Sequence, residues 1–271
     1  MNTRTTHVAL LLNLWLCIGA VLMLVITILA VGIPFSTIGI GLLLPALAVY
    51  FIYVEDRRQT SPEDRINNTY RTALVEQFNK PLFYTSLTAV SIYQTLTLFF
   101  AIKQSSISYV LIAVLVAQLP LIFIYTYDYS KRYPVIDSSY VAITWAVLIL
   151  FPVFLSTPQQ ITPSTVGMFV SWFLIVFAGV ESRNISDVAG DDEVDRTTVA
   201  SILGPNLTKY LVWILKLSAL FIIYALGGLL PTLLTVLYLL YLRFFRRITQ
   251  AITPSRKYHA GDQISSRNYK S

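Results

Sequence analysis

Eight long apolar stretches, each able to cross a hydrocarbon core as a helix, constrain this chain more than any other feature. They cover roughly residues 8–31, 35–54, 82–102, 107–126, 139–156, 165–181, 208–226 and 229–247. Within a bilayer the backbone amides must be satisfied inside a helix or around a closed barrel, and alternating strands of about ten residues are absent. The sequence therefore predicts an all-α membrane protein, a multi-helix transmembrane bundle of about eight spans with Asp-rich cytoplasmic loops. Composition excludes an ordinary soluble domain, since 55% of the residues are hydrophobic and 13% charged.

Charge then sets the expected orientation. With the N-terminus inside, the termini and the connections after spans 2, 4 and 6 share one side, which carries 18 of the 20 Lys and Arg residues and all 14 acidic residues. Lys103 and Lys216 are the exceptions. The positive-inside rule makes that side the cytoplasm. Orientation and attraction to anionic lipid explain the net charge of +6, including Arg243, Arg246, Arg247, Arg256 and Lys257, so the basic excess does not point to nucleic acid.

The first apolar stretch runs some 24 residues without a small-residue cleavage site and reads as a retained helix. Cys17 has no second cysteine to pair with, and His7 and His259 lie too far apart in the chain to suggest a His-based metal or haem site. Residues 1–252 read as one transmembrane domain and residues 253–271 as a polar, disordered cytoplasmic tail.

Two acidic ladders stand where apolar segments run out into water. One reads Asp56-Arg57-Arg58-Gln59-Thr60-Ser61-Pro62-Glu63-Asp64, the other Asn184-Ile185-Ser186-Asp187-Val188-Ala189-Gly190-Asp191-Asp192-Glu193-Val194-Asp195. Asp187, Asp191 and Asp195 recur every four residues, so on a helix their carboxylates stack on one face about 6 Å apart. Repulsion at that spacing calls for solvent or a bridging cation. Asp56 to Asp187 and Asp64 to Asp195 are both 131 residues apart, which suggests two four-helix halves of parallel topology.

Facing carboxylates at the mouth of a bundle suit Mg²⁺, which prefers hard oxygens and shares its shell with substrate phosphates. A diphosphate is the implied ligand, with Lys131, Arg132 and Arg71 placed to assist. Each of these residues has a blander reading, because a cytoplasmic carboxylate is usually a solvated loop residue. Lys216 either contacts substrate or snorkels to the interface. Asn13, Gln94 and Gln118 suit interhelical hydrogen bonds as well as a cavity lining. Tyr50, Tyr53, Tyr93, Tyr125 and Trp172 suit packing or interfacial anchoring as well as stabilisation of an allylic cation.

Taken together, the motifs resemble the UbiA superfamily of intramembrane prenyltransferases. Asp187 and Asp191 fit that family's second Asp-x-x-x-Asp motif, with Asn184 in the place of a preceding acid and Asp195-Arg196-Thr197-Thr198 as its continuation. Tyr127-Asp128-Tyr129-Ser130-Lys131 is similar to its Tyr-x-x-x-Lys motif, followed here by Arg132. Asp64-Arg65-Ile66-Asn67-Asn68-Thr69-Tyr70-Arg71 resembles its Asp-x-x-Asn-x-x-x-Arg block, and this alignment puts Asp56 at the family's Asn, Arg57 at its first Asp and Thr60 at its second. Nine helices are common in the family; eight are expected here.

The resemblance implies transfer of a prenyl group from an isoprenoid diphosphate to an aromatic or lipophilic acceptor. Asp56, Asp64, Asp187, Asp191 and Asp195 are the implied Mg²⁺ ligands. Lys131 and Tyr127 join Asp64, Asp187 and Asp191 as catalytic candidates, and Arg57, Asn67, Arg71, Lys131, Arg132 and Asn184 are candidates for holding the diphosphate. A CDP-alcohol phosphotransferase is set aside because its Asp-Gly-x-x-Ala-Arg block is absent. A transporter fits less well, since the acids lie at the membrane edge. The alternative is a non-catalytic protein of the same fold that binds an isoprenoid or lipid diphosphate.

Overall fold

The computed structural model describes residues 14–59, 69–103, 107–130, 133–157, 162–192 and 197–252. Every element among them is helical: α1 (Trp15–Val31), α2 (Phe35–Ile38), a 3-10 turn (Gly39–Leu43), α3 (Leu44–Arg58), α4 (Thr69–Gln77), α5 (Asn79–Lys103), α6 (Ile107–Ala117), α7 (Leu119–Ser130), α8 (Pro134–Ser156), α9 (Pro163–Asp192), α10 (Val199–Leu203), α11 (Pro205–Gly227) and α12 (Leu229–Ile252). Among the described residues six segments are long and apolar enough to cross a membrane: Phe35–Arg58, which runs from α2 through α3, Asn79–Lys103, Val135–Ser156, Pro163–Ile185, Pro205–Gly227 and Leu229–Thr249.

The other two of the eight expected stretches form shorter apolar helices, Trp15–Val31 and Val110–Thr126. Residues 8–13 of the first expected span lie outside the described residues, as does the tail from 253. The stretch 107–126 is interrupted at Gln118, between α6 and α7. Pro120 is the physical reason, because it has no N–H to donate and its ring crowds the carbonyl four residues back. The chain adapts with a tighter bond from Gln118 N–H to Leu115 O at 3.1 Å, then resumes with Ile122 N–H to Gln118 O at 2.9 Å.

The bundle is organised around α1, which packs against α3, α8, α9, α11 and α12. Ala20, Met23, Leu24 and Ile28 of α1 are wholly buried, as are Ala146, Ile149 and Leu150 of α8. Trp172 on α9 fills the space beside α1. Its indole N–H donates to Thr27 Oγ1 at 2.7 Å, and that hydroxyl in turn donates to Met23 O at 2.8 Å. The polar end of a large aromatic is thereby satisfied in an apolar interior. Tyr238 of α12 stands edge-on to the same ring, with centroids 6.0 Å apart.

Aromatic packing also joins the first described helix to the last. Trp15 stacks on Phe245 at 5.6 Å, and Tyr241 Oη donates to Trp15 O at 2.6 Å. The outward faces carry Leu115, Phe221 and Leu237, all exposed, as helices bathed in hydrocarbon require.

Two glycines meet specific demands. Gly32 ends α1 at φ +76°, donating its N–H to Ile28 O at 3.0 Å. Gly227 sits where the end of α11 meets α1, and a Cβ there would fall 2.7 Å from Ala30 Cα and 2.6 Å from Pro231 Cγ. The backbone atom cannot step aside. Gly227→Ala is expected to destabilise the bundle by about 1–3 kcal/mol, read as a lower unfolding midpoint in detergent; an unchanged midpoint would contradict this close approach.

Candidate functional site

The last turn of α3 divides its four charges between two jobs. Glu55 and Arg58, three residues apart, share a face: Arg58 Nη1 donates to both Glu55 oxygens at 2.8 and 2.5 Å. Ser86 Oγ of α5 also donates to Glu55, Arg58 Nε donates to Asn79 Oδ1 at 3.0 Å, and the Arg58 guanidinium lies 4.7 Å from the centre of the Phe83 ring. These contacts bolt α3 to α5 and leave little for a ligand. Glu55→Gln is expected to cost about 1–3 kcal/mol by weakening charge-assisted bonds at a nearly dry position, measurable as a loss of thermal stability.

Asp56 and Arg57 occupy other faces of that turn. Arg57 is only 4% exposed and its guanidinium lies 3.5 Å from the Asp56 carboxylate. One turn earlier, Tyr53 packs edge-on against Trp145 of α8 at 6.1 Å and lies within electrostatic reach of Arg57, Asp56 and Arg183 on α9. The charged ends of α3 and α9 are therefore neighbours at one end of the bundle.

On α9, Glu181 is completely buried. It accepts a hydrogen bond from Ser138 Oγ of α8, and Asn184 Nδ2 approaches its other oxygen at 3.5 Å, the long limit of such a bond. Asp137, beside Ser138 in the first turn of α8, is also buried. Ser182 receives Arg246 of α12, which donates to its hydroxyl at 3.0 Å and to its carbonyl at 3.1 Å. From there α9 continues without a break to Asp192. Its register puts Asn184, Asp187 and Asp191 on one stripe, leading from the buried Glu181 away from the apolar span.

The expected site residues divide accordingly. Asp56, Arg57 and Asn184 are described in full; Arg57 and Asn184 are both buried, so any access they offer a ligand is from the bundle interior. Arg71, Tyr127, Asp187 and Asp191 are placed as helix backbone, on α4, α7 and α9. Thr60, Asp64, Asn67, Lys131, Arg132 and Asp195 lie outside the described residues. Among the described residues no three His, Cys, Asp or Glu side chains converge as a metal site. Asp187 and Asp191 stand four residues apart on the helical backbone of α9, and carboxylates are the donor type that Mg²⁺ prefers. Asp56 is a weaker partner because Arg57 already balances its charge.

The aromatic candidates separate by surroundings. Trp172 is a buried, hydrogen-bonded core residue, and Tyr125 is exposed on α7. Tyr50 donates to Thr85 Oγ1 at 2.9 Å. Tyr53 alone of the five is tied both to the core and to the charged turn of α3.

Sequence reading did not single out Glu55, Asp137 or Glu181. Each marks the polar limit of an apolar helix, and a carboxylate kept at such a limit, where it is costly, was the available signal. No family model, no curated protein and no solved structure matches the chain. Fold and sequence together define a multi-pass helical membrane protein.

Proposed function

We propose that this protein is an intramembrane prenyltransferase resembling the UbiA superfamily, with eight spans completed by Trp15–Val31 and by α6–α7, and with its Asp-rich connections and both termini in the cytoplasm. One observation supports the reading: α9 runs unbroken to Asp192, so Asn184, Asp187 and Asp191 follow at helical spacing on the element whose Arg183 lies within electrostatic reach of Tyr53, one turn before Asp56 and Arg57 on α3.

In this reading Asp187 and Asp191 hold Mg²⁺, with Asp64 and Asp195 as further ligands. When bound, the metal supplies positive charge that stabilises diphosphate as a leaving group. Arg57, Lys131, Arg132 and Arg71 bind phosphate oxygens and orient the allylic C–O bond. That bond breaks with its electron pair leaving on the diphosphate; the acceptor then bonds to the allylic carbon and loses a proton. Tyr53 supports Arg57 from within the bundle, and the resemblance assigns Tyr127 and Lys131 to the same catalytic motif. Glu181, Ser138 and Asn184 fix the turn of α9 that precedes Asp187 and Asp191.

A second reading, capture of an isoprenoid diphosphate without turnover, is favoured by the Asp56–Arg57 contact, which puts a guanidinium where the resemblance calls for a carboxylate. Diphosphate release separates the two. Purified protein in lipid is given geranyl, farnesyl or geranylgeranyl diphosphate with Mg²⁺ and pooled aromatic and lipophilic acceptors. Acceptor-dependent release that requires Mg²⁺ supports the transferase; saturable binding without release supports the binder and makes Arg57→Asp with Thr60→Asp the variant to examine next.

A further inference from the structure

Lys216 is placed where an ammonium is costly. It lies about 16 Å of helix from the Gly227 end of α11, about half the thickness of a hydrocarbon core, and it is half-buried at the edge of the inward stripe Val212, Ala219 and Ile223. Its electrostatic neighbours are cations, Arg243 and Arg246 of the adjoining helix α12. Among the described residues no carboxylate forms an ion pair with Lys216 or Arg243. Basic side chains gathered at this depth call for an anion.

The surroundings indicate what kind of anion. On α12, Val236, Leu240, Arg243 and Arg247 follow one another at helical spacing and all are exposed. Apolar side chains thus give way to two cations along one open stripe. On the facing α11, Trp213 and Leu217 are exposed beside Lys216. Arg246, also within electrostatic reach of Lys216, is held on Ser182 of α9. Where α11 and α12 pack together, exposed apolar side chains, an exposed Trp213 and cations therefore lie on the two neighbouring helices.

We infer that Lys216 and Arg243 form a seat for the phosphate of an anionic glycerophospholipid, whose acyl chains lie along Leu240, Val236 and Leu217. Arg247 completes its outer edge. The seat is built from α11 and α12, whereas the proposed catalytic residues Asp187 and Asp191 belong to α9, and its occupation does not depend on prenyl transfer.

Native mass spectrometry of the full chain released from nanodiscs tests this, with phosphatidylglycerol as the minor lipid in phosphatidylcholine. The wild-type protein is expected to retain phosphatidylglycerol in preference to phosphatidylcholine. Lys216→Met should lower that retention about tenfold, the loss of one charge-assisted bond to phosphate, and Arg243→Gln about fivefold. Lys216→Arg should restore most of it. Methionine suits a membrane helix, so Lys216→Met is not expected to unfold the bundle; a thermal scan of each variant checks this, and Arg243→Gln gives the same information from an exposed position. Equal retention of the two lipids, or retention unchanged in both charge-removing variants, overturns the proposal. Inorganic phosphate should not displace the lipid; displacement would assign the cations to free phosphate. Competitive displacement by farnesyl diphosphate would assign them to the prenyl substrate and likewise overturn the lipid seat.

Discussion

Asp191→Asn is expected to lower prenyl transfer by about a hundredfold to a thousandfold, the scale on which removing one electrostatic support for a developing charge acts. The substitution is nearly isosteric and lies beyond the apolar span of α9, so the unfolding midpoint should stay where it is. Asp187→Asn should behave alike, and the double variant should fall little further, because in the proposed site the two would act as a unit on one cation. Raising Mg²⁺ should recover part of the single-variant loss by refilling a weakened site. Full turnover in either variant would remove α9 from the chemistry. A loss of activity accompanied by unfolding would point to a structural ladder instead.

Trp172→Ala has the largest expected effect on stability, about 3 kcal/mol or more. The ring is wholly enclosed, touches Tyr238, and is the donor to Thr27. Between membrane helices, surrounding lipid is as apolar as the core. The cost therefore comes from dispersion attraction forfeited by the side chains around an unfilled space rather than from transfer to water. Trp172→Phe keeps most of the ring but removes the donor, and a smaller loss of about 1 kcal/mol is expected. The ratio of the two, from unfolding midpoints in one detergent, separates packing from the hydrogen bond. Equal losses would mean that the ring contributes little beyond its N–H.

What was legible in the sequence was the part governed by hydrocarbon. Runs such as 35–54, 82–102 and 208–226 announce their helices because a bilayer leaves them no other satisfied backbone. Less legible was where each helix stops. α3 continues to Arg58 and α9 to Asp192, past the last apolar residue, because helical hydrogen bonds do not require lipid once the chain is wound. The interruption at Gln118 was signalled by Pro120 yet obscured by the apolar residues on both sides. Least legible was the division of labour among neighbouring charges: Glu55 and Arg58 serve the α3–α5 joint while Asp56 and Arg57 face elsewhere, a distinction set by which way a turn of helix points rather than by residue type. Glu181 escaped notice for the converse reason, being a lone acid whose partner Ser138 arrives from a helix 43 residues away.

The pairing of Trp15 with Tyr241 and Phe245 bears on how the molecule is made. The bond from Tyr241 to Trp15 spans 226 residues, so at a synthesis rate of about 5–20 residues per second the first helix waits roughly 11–45 s for its final neighbour. Throughout that interval Trp15 and the α1 surface reserved for α12 must be covered by lipid or by an insertion factor. Until α12 emerges that face of α1 stays open among helices already packed around it, and arrival of α12 is the event that covers it.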